Sequence, residues 1–435
     1  MSTAEKVYLQ LTGDDEGRVC RDIPEEACDA QPENFLKHVA ALAATKAGDG
    51  LADPKLVLAW LMGALGAPAF LVAFLVPVRE SGALLPQLVT AASIRAMPLR
   101  KWAWALGSLV QGLAVMGMGV VALTLEGAAA GWSLIALLAL MAVARSVCSV
   151  SYKDVLGKTV SKSTRGTASG TASTVASAWV LLFGLALTSG LLDVGVLTIA
   201  VVLLVAGALW LLAAGIFVTL AERPGATEGG GNAIAVVMSQ FGLLKSDPQL
   251  RRFIVARALL MGTALAPPFL LALGGRAGNA ELGELGLFVI ASSLAAVTST
   301  YIWGRLSDVS SRRVLCYAGL LGAAALMVAA LTGMLQPQWL GMPLLLPVLL
   351  FIVVMAHQGV RLGRATHMVD MADQETRAAY TALSNTIIGV LLLAASAFGI
   401  VAEVFGEAFL LGVFALMCLA AAAAALTLEE VQQQD

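Results

Sequence analysis

The sequence predicts an all-α integral membrane protein of about twelve transmembrane helices, arranged as two six-helix bundles that form a tandem pseudo-repeat. Hydrophobic residues make up 59% of its 435 residues and charged residues only 13%, a balance far from that of a soluble domain. Apolar runs of about twenty residues recur, and each can cross about 30 Å of hydrocarbon as a helix. Two similar stretches, APAFLVA at 67–73 and APPFLLA at 266–272, lie about 200 positions apart.

The apolar runs fall into two sets of six. They begin near residues 56, 83, 102, 132, 167 and 194, and near residues 253, 285, 314, 343, 379 and 408. The second run is short and contains Pro86, so its ends are the least defined. The predicted units are an N-terminal cytoplasmic extension with a short amphipathic helix (1–55), a first bundle (56–221), a cytoplasmic linker (222–252), a second bundle (253–428) and a cytoplasmic tail (429–435).

Lysine and arginine are distributed unevenly among the connections between these runs. With the N terminus inside, only Arg79 and Arg276 fall in outer loops. The connections after the even-numbered runs hold Arg100, Lys101, Lys153, Lys158, Lys162, Arg165, Lys245, Arg312, Arg313 and Arg377. Because cytoplasmic loops carry the excess of basic residues, both termini are expected in the cytoplasm and the chain in the plasma (inner) membrane.

The extension contains a predicted amphipathic helix at 32–46, with Pro32 at its start, Gly48 after its end and apolar residues at helical spacing. This helix can lie on the membrane surface or against the inner side of the bundle, or it can act as a plug or regulator. The spacing of Cys20 and Cys28 does not match common zinc sites, and reduced thiols are expected because disulfides rarely persist in the cytoplasm.

The loop after the eighth run carries the most specific motif, GRLSDVSSRR. Its Gly304 permits helix ends to approach closely, and Asp308 can pair with Arg312 or Arg313 or accept hydrogen bonds from a helix N terminus. The motif resembles the cytoplasmic loop signature of the major facilitator superfamily. The resemblance covers nearly everything after the extension and implies contacts that lock the inner side shut. A solvated loop that only follows the charge rule explains the arginines but not the Gly and Asp.

The equivalent loop of the first half keeps basic residues, including Arg95 and Arg100, but lacks the Gly and the Asp of that motif. In the first half, the contacts that close the inner side are therefore expected to be degenerate or to be made by other residues. A bridge from Arg95 or Arg100 to Asp154 is one replacement, since opposite charges at neighbouring helix ends can pair.

A second pair of loops matches between the halves. Asp154 precedes Arg165 after the fourth run, and Asp370 precedes Arg377 after the tenth. In the superfamily these regions contribute to inner-gate networks, which is what the resemblance implies for these four residues. Helix capping by the acids and interface anchoring by the arginines explain the same pattern.

Few ionisable or amide groups interrupt the apolar runs, and such groups mark functional sites because burying them in hydrocarbon is costly. The candidates for a substrate cavity are Gln87, Thr90, Gln111, Arg257, His357, Gln358, Arg361 and Asn385. His357, Arg361 and Arg364 recur at i, i+4 and i+7, which places them along one helical face. This cationic stripe can guide an anionic solute, or it can lie at the inner interface and pair with Asp370.

Arg79 and Glu80 end the first predicted run, at its outer side. They can form an outer gate or a coupling site, because a carboxylate partly removed from water can bind a proton near neutral pH. A plain interfacial ion pair is the simpler explanation of the two residues. No acidic residue lies clearly in the middle of a predicted run, so proton or ion coupling has no other obvious carrier.

Enzymatic motifs are missing from the sequence, including a Gly-rich phosphate loop and a zinc-binding HExxH helix. We expect no enzyme, no cofactor, no metal and no nucleic-acid partner. The resemblance implies a monomeric secondary transporter of a small organic solute, with an anionic solute as one option, working in the lipid bilayer by alternating access. The alternatives are an exporter of amphiphilic or lipid-like compounds and a non-transporting membrane sensor or scaffold that acts through the extension. The fold does not identify the cargo.

Overall fold

The computed structural model describes residues 3–13, 28–227, 241–276, 284–372 and 376–432, and no strand occurs in these ranges. The first half contains α1 (Thr3–Thr12), α2 (Gln31–Leu51), α3 (Val57–Ala64), α4 (Val72–Leu84), α5 (Gln87–Arg95), α6 (Lys101–Thr124), α7 (Gly127–Thr159), α8 (Lys162–Thr188) and α9 (Val196–Val218). The second half contains α10 (Leu243–Ser246), α11 (Pro248–Leu259), α12 (Gly262–Leu265), α13 (Pro267–Arg276), α14 (Glu284–Val309), α15 (Ser311–Leu335), α16 (Leu345–Met371), α17 (Arg377–Ala394), α18 (Phe398–Phe405) and α19 (Glu407–Leu426). The predicted all-α membrane class is confirmed.

Within the described residues, eleven helical stretches are long and apolar enough to cross a membrane. They are Ala69–Ala91, Lys101–Thr124, Gly127–Thr159, Lys162–Thr188, Val196–Val218, Pro248–Gly275, Leu285–Ser307, Ser311–Leu335, Leu345–Met371, Ala379–Phe405 and Glu407–Leu426. The first residue of each of the last ten stretches lies within about five residues of the predicted start of a run. The agreement is close because a long apolar helix is the strongest signal that a membrane sequence carries.

The predicted bounds of the first two runs are wrong. Helix α3 ends at Ala64, and the chain then turns through Gly66, whose φ is 68°, and Pro68. A single span, Ala69–Ala91, follows this turn and covers parts of both predicted runs. The turn escapes a hydropathy reading because apolar residues flank it on both sides, and only its Gly and Pro break the helix.

Helix α2 is buried in the first half rather than lying on a surface. It packs along α8 and α9, and the side chains of Phe35 and His38 on its inner face are fully buried. His38 Nε2 shares a hydrogen bond of 2.8 Å with Thr159 Oγ1 at the end of α7. The amphipathic helix predicted at 32–46 is present and continues to Leu51, and its apolar face contacts the bundle.

The segment before α2 also contacts the first half. Tyr8 of α1 is buried, and its hydroxyl accepts a 2.6 Å hydrogen bond from Gln31 Nε2. Cys28 is disulfide-bonded, so the expectation of a reduced thiol at this position is wrong. Cys20 lies outside the described residues.

Two glycines let α2 approach its neighbours closely. A Cβ added at Gly48 would lie 2.8 Å from the Trp210 ring of α9, and a Cβ at Gly50 would overlap with Val180 of α8. Neither neighbour is the end of a flexible side chain. The packing of α2 between α8 and α9 therefore requires residues without a side chain at these two positions.

Replacing Gly50 with alanine is expected to lower the free energy of unfolding by about 1–3 kcal/mol, because the new methyl group overpacks the contact with Val180. Denaturant titration of the purified protein in detergent measures this change. The matched control is Gly170→Ala on α8, where an added Cβ meets nothing within 4 Å and helix propensity favours alanine by about 0.5–1 kcal/mol. Equal stability of the two variants would contradict the tight packing.

The two halves meet along α4 with α17 and α8 with α14, and also where α3 contacts α13. At one end the approach is closest: a Cβ at Gly286 would lie 2.8 Å from the backbone nitrogen of Thr188, and a Cβ at Gly399 would lie 2.6 Å from the carbonyl oxygen of Phe70. This end carries the loop at 65–68. At the opposite end, each described ion pair joins residues of the same half. The halves are thus closed together at the first end.

Candidate functional site

A cavity of about 450 Å³ lies between the two halves and is unusually rich in charge for a membrane interior. The first half contributes Lys46, Asp49, Asp53, Lys55, Arg79, Glu80 and Arg145, and the second half contributes Arg257, His357, Arg361 and Arg364. Basic side chains outnumber acidic ones seven to three in this lining. The cavity wall therefore carries a net positive charge, and the second half contributes no carboxylate to the lining.

Asp49, near the end of α2, joins two arginines from other helices. Arg79 of α4 donates from Nη2 to Asp49 Oδ1 at 2.9 Å, and Arg145 of α7 donates from Nη1 to both carboxylate oxygens at 2.5 Å. One carboxylate between two guanidinium groups leaves one positive charge in excess. Arg79, predicted at an outer gate, instead lies in the middle of the span Ala69–Ala91 and holds three helices together through Asp49.

The chain between α2 and α3 interrupts the helix at the cavity wall. Asp53 in this break accepts hydrogen bonds through Oδ1 from the backbone N–H groups of Lys55, at 2.7 Å, and Leu56, at 3.0 Å. A carboxylate that accepts N–H groups two and three residues ahead stabilises a turn. Asp53 thus holds the turn that precedes α3, while Lys55 in that turn lines the cavity.

Glu80 is the carboxylate in the lining without a direct partner. It accepts no hydrogen bond and forms no ion pair within the described part of the chain. It interacts electrostatically with Lys55 and, across the cavity, with Arg361 and Arg364 of the second half. The predicted pairing of Arg79 with Glu80 is replaced by the bond from Arg79 to Asp49, so the Glu80 carboxylate faces the cavity.

Arg257 of α11 is a buried cation whose hydrogen-bond partners are neutral. Its side chain is 8% exposed, Nη1 donates to Ser384 Oγ at 2.7 Å, and Nη2 donates to Asn385 Oδ1 at 2.8 Å. Its Nε has no partner among the described residues. Asn385, a predicted cavity residue, thus acts by orienting Arg257. No described carboxylate offsets the charge of this guanidinium.

Helix α16 brings the predicted cationic stripe to the same wall. His357, Gln358, Arg361 and Arg364 all line the cavity. His357 Nδ1 shares a 3.2 Å hydrogen bond with Thr263 Oγ1 of α12, and Arg361 Nη1 donates to Gln358 Oε1 at 3.4 Å. The alternative pairing of this stripe with Asp370 does not form. The second half therefore presents three arginines to the cavity.

Three other predicted cavity residues do not line it. Gln87 and Thr90 each donate to a backbone carbonyl four residues earlier, at 2.7 and 2.9 Å. Gln111 is buried between α6 and α7, where its Nε2 donates to Cys148 Sγ at 3.2 Å. Polar side chains of this kind satisfy their groups locally, which sequence position alone does not distinguish from a cavity role.

The first half carries its own network at the end opposite the closed one. Asp154 pairs with Arg100, as the sequence allowed, and with Lys158 at 2.7 Å. Lys158 also pairs with Glu222 at 3.1 Å, and Glu222 accepts the backbone N–H groups at the start of α6. Arg165 donates to two backbone carbonyls near the end of α7, so it caps a helix instead of joining the acidic residue.

The C-terminal tail contacts the GRLSDVSSRR loop of the second half. Arg312 pairs with Glu430 at 3.5 Å, and the backbone N–H of Arg313 completes the cap at the start of α15. A Cβ at Gly304 would meet nothing within 4 Å, so the expected close approach at this glycine is absent. The side chain of Asp308 lies outside the described residues.

Asp370 and Arg377, the second-half counterparts of Asp154 and Arg165, also form local contacts. Asp370 Oδ2 accepts a 2.7 Å hydrogen bond from Gln432 of the tail. Arg377 Nη2 donates to the carbonyl of Val369 at 2.8 Å. These contacts match the capping and anchoring alternative, and they join parts of the second half only.

Sequence reasoning missed the cavity residues of α2 and the break, namely Lys46, Asp49, Asp53 and Lys55. They lie in a stretch that resembles a soluble extension because it is charged. The available signal was the continuation of helically spaced apolar residues through 35–51 and again from Leu56. Charged residues placed inside such a pattern indicate a functional membrane helix.

The sequence matches no family model and no curated protein. The fold is similar to many solved structures. The inward-open xylose transporter XylE from E. coli is 10% identical with a TM-score of 0.66 and covers 92% of this chain and 97% of its own. A POT family transporter bound to a thioalcohol-conjugated peptide is 10% identical with a TM-score of 0.67, at 93% and 98% coverage.

The nucleoside transporter NupG is 12% identical with a TM-score of 0.63, at 90% and 98% coverage. At such identities the similarity establishes the fold and leaves the cargo open. Together with the arrangement of the helices in two halves around a central cavity, it confirms the predicted all-α fold of two helical bundles. The chain has the fold of these solved structures.

Proposed function

We propose that this protein is a secondary transporter that moves a small organic anion across the membrane by alternating access. The observation that supports this cargo is the set of arginines on the second-half wall, Arg257, Arg361 and Arg364, none of which pairs with a described carboxylate. Arg257 is buried, so its charge is removed from water without a counter-ion, which is costly, whereas Arg361 is exposed and Arg364 is half-buried. A carboxylate or phosphate group supplies that counter-ion, and two guanidinium N–H groups match its oxygens.

The volume of the cavity suits a small solute. About 450 Å³ lies within the range of roughly 300–1,000 Å³ that small-molecule sites occupy. The solved structures with this fold carry the names of xylose, nucleoside and peptide transporters, whose cargoes differ in charge and shape. The cargo proposed for this chain therefore rests on its own side chains.

Helices α2 and α3 are proposed to form the first membrane crossing together. The first half then has six crossings, since five spans of the first half follow them. The first bundle accordingly starts at residue 31 instead of 56, and the second bundle starts at Pro248, where its first span begins, instead of at 253. One chain contains both halves and the whole cavity, so the working unit is proposed to be a monomer.

This arrangement also removes Arg79 from the outer loops and leaves Arg276 as the basic residue on that side. The charge rule then places both termini in the cytoplasm, with the chain in the inner membrane. The closed end of the two halves faces outward, and the state described is inward-facing. Transport requires the outer contacts at Gly286 and Gly399 to separate while the opposite ends close.

Glu80 is proposed to couple the anion to a proton. Its carboxylate interacts electrostatically with Arg361 and Arg364 across the cavity. An entering anion competes with Glu80 for the same guanidinium groups. Because two negative charges in one site disfavour each other's ionisation, the Glu80 carboxylate then binds a proton.

Replacing Glu80 with glutamine is expected to abolish accumulation of the anion driven by an inward proton gradient in proteoliposomes. Exchange of external for internal anion should continue, because exchange moves no net proton. Uptake and exchange of radiolabelled anion measure the two activities. Glu126→Gln in the exposed loop before α7 is the control and should accumulate normally. Accumulation by the Glu80 variant would rule out this residue as the proton carrier.

The cargo is tested by thermal shift of the purified protein, since a ligand of the folded state raises its apparent stability. The panel contains mono-, di- and tricarboxylates, amino acids, sugar phosphates, neutral sugars and amphiphiles. We expect stabilisation by anions only, followed by uptake of the best anion into proteoliposomes. Stabilisation by neutral sugars or amphiphiles alone would overturn the anion proposal.

The two alternatives have weaker support. An exporter of amphiphiles would suit an apolar central cavity, whereas ten of the 26 residues that line this cavity are charged. A scaffold acting through a free extension would suit an exposed apolar helix, whereas α2 is packed between α8 and α9. We therefore prefer the transporter of a small anion.

A further inference from the structure

A second cavity lies on the surface of the first half, away from the interface between the two halves. Helices α8 and α9 form its walls and α2 forms its floor, and its volume is about 880 Å³. The walls include Trp179 and Leu182 of α8 and Val201 and Val205 of α9, and the floor includes Ala44 and Ala47. All four wall side chains are more than a third exposed, so this groove faces the surroundings of the protein.

The lining is apolar almost throughout. The hydroxyl of Thr198 and the indole N–H of Trp179 are the polar side-chain groups among the lining residues. Both α8 and α9 are membrane spans, so the groove opens into hydrocarbon. Water filling it would find few hydrogen-bond partners, and buried water needs two to four of them. An apolar occupant is therefore favoured.

The groove has the length of one leaflet. Its lining extends along α8 from Val175 to Ala186, a rise of about 16 Å at 1.5 Å per residue. One leaflet contributes half of the roughly 30 Å hydrocarbon core, or about 15 Å. The groove begins at Leu192, just after α8, and ends near the middle of the membrane. An acyl chain whose headgroup lies at the level of Leu192 would follow the same path.

The volume argues against a helix of another protein. A helix with its side chains is about 10–12 Å across, so roughly 880 Å³ would hold only about two of its turns. A crossing helix needs about 20 residues. Flexible acyl chains, in contrast, can fill an irregular groove between diverging helices.

The floor of the groove is the wall of the central cavity. On α2, Ala44 and Ala47 face the groove, whereas Lys46 and Asp49 line the cavity. Only the thickness of this one helix separates the two spaces. An occupant of the groove therefore supports the helix that carries Asp49 and its bonds to the two arginines.

We propose that this groove is a binding site for the acyl chains of one phospholipid from the leaflet on the side of the loop at 189–195. The bound chains replace the protein contacts that α8 and α9 lack where they diverge, and they hold α2 against the bundle. This site is separate from the transport cavity, and its existence does not depend on the nature of the cargo.

The test uses full-length protein in nanodiscs of phosphatidylethanolamine and phosphatidylglycerol with a trace of phosphatidylcholine that carries a diazirine in one acyl chain. After illumination, mass spectrometry compares labelling of groove peptides with that of peptides around Leu416 of α19, an equally lipid-exposed site. We expect at least fivefold more label in the groove. Val201→Trp, which fills the groove, should reduce the groove label at least fivefold, and Leu416→Trp should leave it unchanged.

Equal labelling of the two surfaces, or undiminished groove labelling in Val201→Trp, would overturn the proposal. Crosslinks between two copies of the chain at the groove would assign it to a second protein instead. If Val201→Trp does not fold, Ala44→Leu narrows the same groove from its floor and is held to the same fivefold criterion.

Discussion

Replacing Asp49 with alanine is expected to lower the free energy of unfolding by about 3 kcal/mol, because it leaves the largely buried Arg79 and the half-buried Arg145 without their counter-ion. The value lies at the low end for buried ion pairs, since the Asp49 side chain keeps 22% of its surface exposed. Three helices depend on this carboxylate, so transport should be lost as well. Denaturant titration in detergent measures the change in stability.

The matched control on the same helix is Glu33→Gln, which breaks an exposed ion pair with Lys37 and should cost less than about 1 kcal/mol. A second variant tests the mechanism. Removing the charge of Arg145 together with that of Asp49, as Asp49→Asn with Arg145→Gln, should restore part of the lost stability, because one uncompensated cation disappears. No recovery in the double variant would mean that Asp49 acts through packing and not through charge.

Replacing Arg257 with alanine is expected to weaken binding of the proposed anionic cargo at least about 100-fold, which corresponds to about 3 kcal/mol. The guanidinium is oriented by Ser384 and Asn385 and has no described carboxylate partner, so its charge is available to the ligand. Stability of the empty protein should be unchanged or slightly higher, since a buried cation without a counter-ion has been removed. Titration calorimetry and thermal unfolding measure the two effects.

Two other substitutions separate charge from geometry at this site. Arg257→Lys keeps the charge but loses the planar fork, and binding should weaken about tenfold. Arg251→Ala removes an exposed arginine of the same helix and should bind normally. If Arg257→Ala unfolds readily while Arg257→Lys binds like the native protein, Arg257 has a structural role and the anion site lies elsewhere.

The pair of similar stretches at 67–73 and 266–272 led to the correct architecture for an incidental reason. The first lies in the turn after α3 and at the start of the span Ala69–Ala91, whereas the second lies inside a single span, Pro248–Gly275. The two stretches therefore occupy different places in the two halves. The tandem arrangement is carried by the order and number of the helices.

The Arg–Glu pair at 79–80 shows how one missed turn shifts a functional interpretation. Placing the first crossing at residue 56 put both side chains at an outer loop. The turn at Gly66 and Pro68 moves them to the middle of the span Ala69–Ala91, where Arg79 binds Asp49 and Glu80 faces the cavity. Hydropathy reports how apolar a stretch is but does not report where a chain reverses within apolar sequence.

The sequence by itself determined the membrane class, ten of the crossings and the cationic stripe on α16, because hydrocarbon length and helical periodicity are local properties. The tertiary structure alone decided that α2 belongs to the bundle, that Asp49 pairs with two distant arginines and that Gln111 is a packing residue. These features depend on contacts between residues far apart in the chain. A charged residue looks the same in sequence whether water or another helix surrounds it, and only the packed structure distinguishes the two.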